Sequence, residues 1–167
     1  ARGRVPRSAD RMVEQRSRGL SRRVSRGFSR ERFQTAIEQA GVSQSDIARL
    51  ADVSAATIRS WVRRGGAPDI ERLTRIAKVL ELDVAAFVEV PDDEAMPSDL
   101  RIRCGLTQVQ LGALAGLSTT VISGFERAET RWSDRKAAKI APVLGVNIEQ
   151  LREAWQRARE RPAGAAP

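Results

Sequence analysis

Histidine and tyrosine are absent from these 167 residues, and cysteine occurs once, as Cys104. A lone cysteine excludes an intrachain disulfide, and with neither histidine nor paired cysteines the usual zinc ligand sets cannot be assembled. No metal site and no cofactor are therefore expected. The same shortage removes the familiar acid–base and nucleophile constellations, which argues against an enzyme. Cys104 closes an apolar-periodic stretch before Gly105 and is read as a packed small residue. Aromatic residues make up only 4%, so aliphatic side chains must fill the interior. No apolar run is long enough to cross a bilayer or to serve as a signal peptide, and a cytoplasmic protein without a membrane partner is expected. No segment alternates with period two. Val and Ile recur at helical spacing instead, so the expected fold class is all-α.

Arginine is plentiful and unevenly placed. Formal net charge is +8. Residues 1–27 hold nine Arg against Asp10 and Glu14 and contribute +7. Residues 28–95 contribute −3, with nine basic and twelve acidic side chains, and residues 96–167 contribute +4, with eleven and seven. A basic arm joined to a globular reader is an electrostatic footprint of nucleic-acid binding. The plain alternative is a solvated tail that aids solubility.

One helical pattern occurs twice at a fixed offset of 64 residues. Gly41-Val42-Ser43-Gln44 returns as Gly105-Leu106-Thr107-Gln108, and Ile76-Ala77 returns as Ile140-Ala141. Between 41–87 and 105–151 the register needs no gap, and eleven positions are identical. An ungapped internal match of this kind indicates two copies of one small domain. The expected organisation is a basic arm over 1–27, a first domain over 28–90, an acidic linker over 91–97 and a second domain over 98–160.

Helix boundaries follow from caps and breakers. Ser29 should cap a helix over about 30–40 that stops at Gly41. Ser43, with Asp46 three residues on, should start the next, and Asp52-Val53 should turn it. Ser54 should cap a helix over about 55–64, ended by Gly65-Gly66-Ala67-Pro68. A fourth follows over about 69–80, and Asp83 should cap a short fifth. In the second copy Thr107 with Gln110, Ser118, Ser133 and Asn147 play the capping roles, and the last helix should run over about 148–160. Pro142 should kink or shorten the helix that contains it. Pro91 to Pro97 carries three consecutive acids and reads as a solvated linker, too short to let the domains separate far.

The stretch Gly105-Leu106-Thr107-Gln108, Leu111, Leu114-Ala115, Leu117-Ser118, Val121-Ile122-Ser123, Phe125-Glu126, continued by Ile140-Ala141 and Leu144-Gly145-Val146, resembles the lambda-repressor-like, Xre-type helix-turn-helix family over about 96–155. The first copy shows the same skeleton over about 30–90. The resemblance implies two tandem five-helix domains that place a recognition helix in the major groove of double-stranded DNA. It implies base contacts from Ala55, Ala56, Arg59 and Ser60 and from Thr119, Thr120, Ser123 and Gly124. It implies that Gln44 and Gln108 grip the sugar-phosphate, with Arg63, Arg64, Arg127 and Arg131 on phosphates at the exit of the third helix. Trp132 is read as a packing residue. The family often has Glu at the end of the third helix; Glu126 keeps it and Val62 does not.

The leading expectation is a sequence-specific transcriptional regulator, repressor-like, of bacterial origin and nucleoid-associated, with no small-molecule ligand domain. The second is an antitoxin-like or adaptor protein whose helix-turn-helix folds grip a protein partner or a second copy of the chain. Steep salt dependence together with a sequence preference separates the first from the second.

Overall fold

The computed structural model describes residues 24, 26–64 and 66–163, the side chain of Arg64 excepted. The arm expected over 1–27 thus lies outside the described residues apart from Val24, Arg26 and Gly27. The first copy forms α1 (Arg30–Gln39), α2 (Gln44–Leu50), α3 (Ala55–Arg64) and α4 (Ile70–Val79), then a single 3₁₀ turn, Val84–Phe87. The second forms α5 (Pro97–Arg103), α6 (Gln108–Ala115), α7 (Thr119–Glu126), α8 (Asp134–Leu144) and α9 (Ile148–Glu160). Among the described residues there is no strand; Phe28 and Val88 form an isolated antiparallel bridge.

The helices begin where short polar side chains can accept the free N–H groups of a first turn. Ser29, Ser43, Thr107, Ser118, Ser133 and Asn147 each do so, and Ser54 accepts from the Thr57 N–H at 3.1 Å. Each such cap stabilises by about 1 kcal/mol. Asp83 makes no side-chain cap, and the helix expected after it is only the 3₁₀ turn. Pro142 neither breaks nor shortens α8, which runs on to Leu144 and closes on Gly145. The proline sits in the last turn, so one backbone bond is lost and no further turn has to be carried past it.

Two cores result. The first is built round Phe33, whose ring lies 5.4 Å from Phe87, 5.5 Å from Phe28 and 5.8 Å from Trp61. Val24 is fully buried in it and its N–H donates to the Pro68 carbonyl at 2.8 Å, so packing of the first domain begins upstream of residue 28. The second core gathers Leu111, Ile122, Phe125, Ile140 and Leu151. Trp132 bridges Phe125 and Trp155 at 5.8 and 5.7 Å, a packing role. Cys104 is exposed, not packed as expected. Its thiol turns toward the Leu144 carbonyl at 3.6 Å, and desolvation there raises its pKa.

Pro91 to Glu94 of the segment expected to be a solvated linker are exposed, while the residues after them are held against the domains. Ala95 and Pro97 are buried. Arg103 pairs with Asp92 at 2.6 Å and also donates to the Val90 carbonyl. Arg157 donates to the carbonyls of Ala95 and Asp92 at 2.8 and 3.2 Å. Arg26 reaches Glu94 at 3.5 Å and Asp99, in the first turn of α5, at 3.2 Å. Asp99 is enclosed, and burial pushes its carboxyl above the usual range, against the opposing pull of the Met96 N–H and Arg26.

The contact between the domains runs along one face of α5 and its flanks. Ala95, Ser98, Ile102 and Gly105 follow one another at helical spacing and all are buried, with Ala95 and Ile102 inside the first domain's core. The matching positions of the first copy are Glu31, Gln34, Glu38 and Gly41, all exposed. There Gln34 and Glu38 bond each other at 2.8 Å across one turn. Thr74 Oγ1 donates to the Gly105 carbonyl at 3.1 Å. Gly105 has φ +69°, and a Cβ there would come within 2.9 Å of Thr74 Oγ1 and 3.2 Å of Val84 Cγ2. Gly41 has φ +67°, with nothing among the described residues within 4 Å of its missing Cβ.

Both glycines carry the left-handed strain an L-residue would feel, about 1 kcal/mol, but only Gly105 is also crowded. Gly105→Ala should therefore cost about 1–3 kcal/mol more than Gly41→Ala. Equal losses for the two variants in urea unfolding would show that the contact at Gly105 contributes nothing to stability.

Candidate nucleic-acid interface

In each copy a short helix, a tight turn and a second helix leave one flank of the second helix bare. In the first copy the pair is α2 and α3, turned by Asp52 at φ 51°; in the second it is α6 and α7, turned by Gly116 at φ 61°. Aspartate tolerates this backbone poorly compared with glycine, and its carboxylate is tied to Arg75 at 3.0 Å. Ile58 and Ile122 are fully buried beneath the second helices, with Trp61 and Phe125 beside them. Those anchors fix which residues of α3 and α7 face outward.

On α3, Ala56, Arg59 and Arg63 are exposed, Ser60 is half-buried, and Ala55 is half-buried against the first core. No ion pair or hydrogen bond among the described residues engages Arg59 or Arg63, so both guanidinium groups are available. The side chain of Arg64 lies outside the described residues. On α7, Thr119 and Thr120 are exposed and Ser123 is half-buried. Gly124 is buried, with Thr130 only 3.6 Å from where its Cβ would lie. That position faces the following loop rather than solvent, because α7 has turned toward the core by its second turn. Arg127 is a second departure. Its Nε and Nη2 bind the Glu129 carboxylate at 2.7 and 3.0 Å, and its Nη1 binds Ser123 Oγ at 2.7 Å. The same pair holds the Glu129 carboxyl below its usual range. Arg127 is thus a compensated charge, whereas Arg131 is exposed and unpaired among the described residues.

The two glutamines at the start of α2 and α6 occupy different surroundings. Gln44 is exposed and makes no bond among the described residues. Asp46 lies beside it, held ionised by a hydrogen bond from Ser43 and then by Arg49. A carboxylate there repels a phosphate approaching the helix end. In the second copy the corresponding residue is Gln110, neutral, and it closes a reciprocal cap with Thr107 at 2.8 and 3.2 Å. Gln108 donates to Glu126 Oε2 at 2.8 Å, which leaves its second amide hydrogen and its carbonyl free.

Glu126 itself is the acceptor of a buried pair that the sequence reading did not foresee. Arg101 on α5 reaches it twice, Nε to Oε1 at 2.6 Å and Nη2 to Oε2 at 3.2 Å, with both side chains 3% exposed. Arg101 Nη1 also donates to the Leu106 carbonyl at 2.7 Å. One guanidinium thus joins the first helix of the domain, the loop before α6 and the end of the recognition helix. The first copy has Ile37 and Val62 at these positions, in its apolar core. A signal for the pair exists within the repeat: both members change together between the copies.

A further basic cluster lies where α7 ends. Arg159 donates to the Ala128 carbonyl at 2.9 Å and Arg161 to the Arg127 carbonyl at 2.8 Å. Only the second copy has it, because only there does the last helix continue. Among the described residues, no group of His, Cys, Asp and Glu could hold a metal ion, and no helix is long and apolar enough to cross a membrane.

Removing one member of the buried pair leaves an uncompensated charge. Arg101→Ala should cost about 3–5 kcal/mol, while Arg101→Ile with Glu126→Val, the first copy's own solution, should fall within about 1 kcal/mol of the parent or above it. Chemical unfolding decides between these outcomes. A double variant as unstable as Arg101→Ala would show that the pair stabilises the domain outright.

A family model described as helix-turn-helix matches the chain twice, over residues 33–87 and 98–151. No curated protein matches it.

Proposed function

Since the chain belongs to the Xre-type, lambda-repressor-like helix-turn-helix family in two tandem copies, a family of DNA-binding domains rather than of enzymes, we propose that it is a sequence-specific transcriptional regulator of double-stranded DNA. The observation that carries this reading is the pair of outward flanks on α3 and α7, each bearing polar or cationic side chains that no other described group engages. Arg59 offers a fork suited to the O6 and N7 acceptors of guanine, and Ala56 offers a methyl to thymine. Thr119 and Thr120 supply hydroxyls and methyls to a different half-site. Gln108, oriented by Glu126, and Gln44 bind the sugar-phosphate, with Arg63 and Arg131 on neighbouring phosphates. Ala55, Ser60 and Ser123 stand at the edge of the reading surface. Gly124 is a spacer in this scheme, and Arg127 acts through its bond to Ser123.

The two copies divide the work. The second has the neutral, capped start to α6 and the larger positive charge, so it supplies most of the grip. The first has Arg59, unpaired among the described residues, on its reading flank and supplies the sharper discrimination.

Binding should weaken steeply with salt while a sequence preference persists. Selection of bound duplexes from a random pool, followed by titration at two salt concentrations, tests this. Arg59→Ala should lower preference at one guanine by about 1–3 kcal/mol, whereas Gln108→Ala should weaken binding on all sequences alike. Equal losses for Arg59→Ala on selected and random DNA would place that side chain on phosphate only.

A further inference from the structure

The contact between the two domains has a direction. Two readers related by a two-fold axis touch through the same surface on each, so every contact from residue i to residue j has its mate from j to i. Here Gly105 of the second copy touches Thr74 and Val84 of the first. A two-fold would bring Gly41, the counterpart of Gly105, against Ala138 and Ile148, the counterparts of Thr74 and Val84. Instead Gly41 is exposed, with nothing among the described residues within 4 Å of its missing Cβ, and Ile148 is 41% exposed while Val84 is 5%.

The sequence of the two faces agrees. The inward face is Ala95, just before α5, with Ser98 and Ile102 on it, and the matching positions on α1 are Glu31, Gln34 and Glu38. One copy is built to be docked and the other is built to stay wet. The domains are joined head to tail, and the segment between them is tied down by Arg103 and Arg157, with Ala95 at its end inside the first core.

We propose that this packing fixes the order of the DNA site: the two half-sites lie in the same direction along the duplex, at one spacing, and not as an inverted repeat. The inference rests on the DNA-reading role proposed above. A duplex is itself a screw, and a head-to-tail relation between readers is the kind that follows it. A two-fold relation is the kind that suits a palindrome. Simultaneous engagement of tethered readers raises affinity a hundredfold or more, and the gain is lost where geometry forbids it.

The test makes the two readers alike, so that orientation alone is scored. Thr119→Ala, Thr120→Ala and Ser123→Arg give α7 the side chains that α3 carries at Ala55, Ala56 and Arg59. The full chain so altered is offered duplexes with two copies of the Arg59-dependent half-site, direct or inverted, over a series of spacings. A direct repeat at one spacing should bind about a hundredfold tighter than any inverted repeat. Inverted repeats bound equally well or better by one chain would overturn the proposal. Gly105→Ala, which disturbs the docked face but neither reading flank, should flatten the spacing profile. An unchanged profile in that variant would also overturn it. Failure of the unaltered chain to prefer any sequence is a separate result, which would remove the DNA-reading role itself.

Discussion

The insertion of α5's inner face into the first domain is the constraint on which the arrangement depends. Ala95 and Ile102 sit in a core formed mainly by another domain, and Gly105 admits the close approach of Thr74 and Val84. The connecting segment is tied down beside it by Arg26 on Glu94, Arg103 on Asp92 and Arg157 on the Ala95 carbonyl. Domains of this size bury only about 60% of the surface of their unfolded chains and are marginal alone. Sharing a core offsets that weakness, since Ala95 and Ile102 add to the apolar surface the first domain buries.

The repeat has diverged along lines that physical chemistry makes intelligible. The first copy closes its recognition helix onto the core with Ile37 and Val62, and the second does so with a bidentate Arg101–Glu126 pair. Apolar and ionic solutions of similar volume often differ little in net stability. The ionic one adds direction, because Glu126 has a remaining acceptor site that orients Gln108. Near the other glutamine the first copy keeps an ionised Asp46, and on α3 Arg59 and Arg63 have no partner among the described residues. The second copy has neutralised Arg127 with Glu129 and extended α9 to set Arg159 and Arg161 beside the helix exit.

Much of this was legible in the sequence. The offset of the repeat, the all-α class and the caps at Ser29, Ser43, Thr107, Ser118, Ser133 and Asn147 are local properties, set by residues three or four positions apart. The outward flanks of α3 and α7 followed from the same periodicity, since burial of Ile58 and Ile122 dictates what faces away. The misses share a cause. The acids before α5 read as solvated and are exposed, but the ties to Arg26, Arg103 and Arg157 come from outside that segment and no local pattern announces them. Gly124 and Arg127 were assigned by position on the helix, and only packing shows that Thr130 covers the one and Glu129 pairs with the other.

By itself the sequence determined two copies of one helical unit, because hydrophobic periodicity and helix capping act over a single turn and survive whatever surrounds them. It also determined which flanks carry the polar side chains. Only the tertiary structure decided that the copies join head to tail, that Arg101 and Glu126 meet inside the second domain, and that Gln108 is held while Gln44 is free. Those outcomes rest on contacts between residues 18 to 31 positions apart. Such contacts form only once the chain has closed on itself, and no spacing along the chain encodes which face of α5 will be buried and against what.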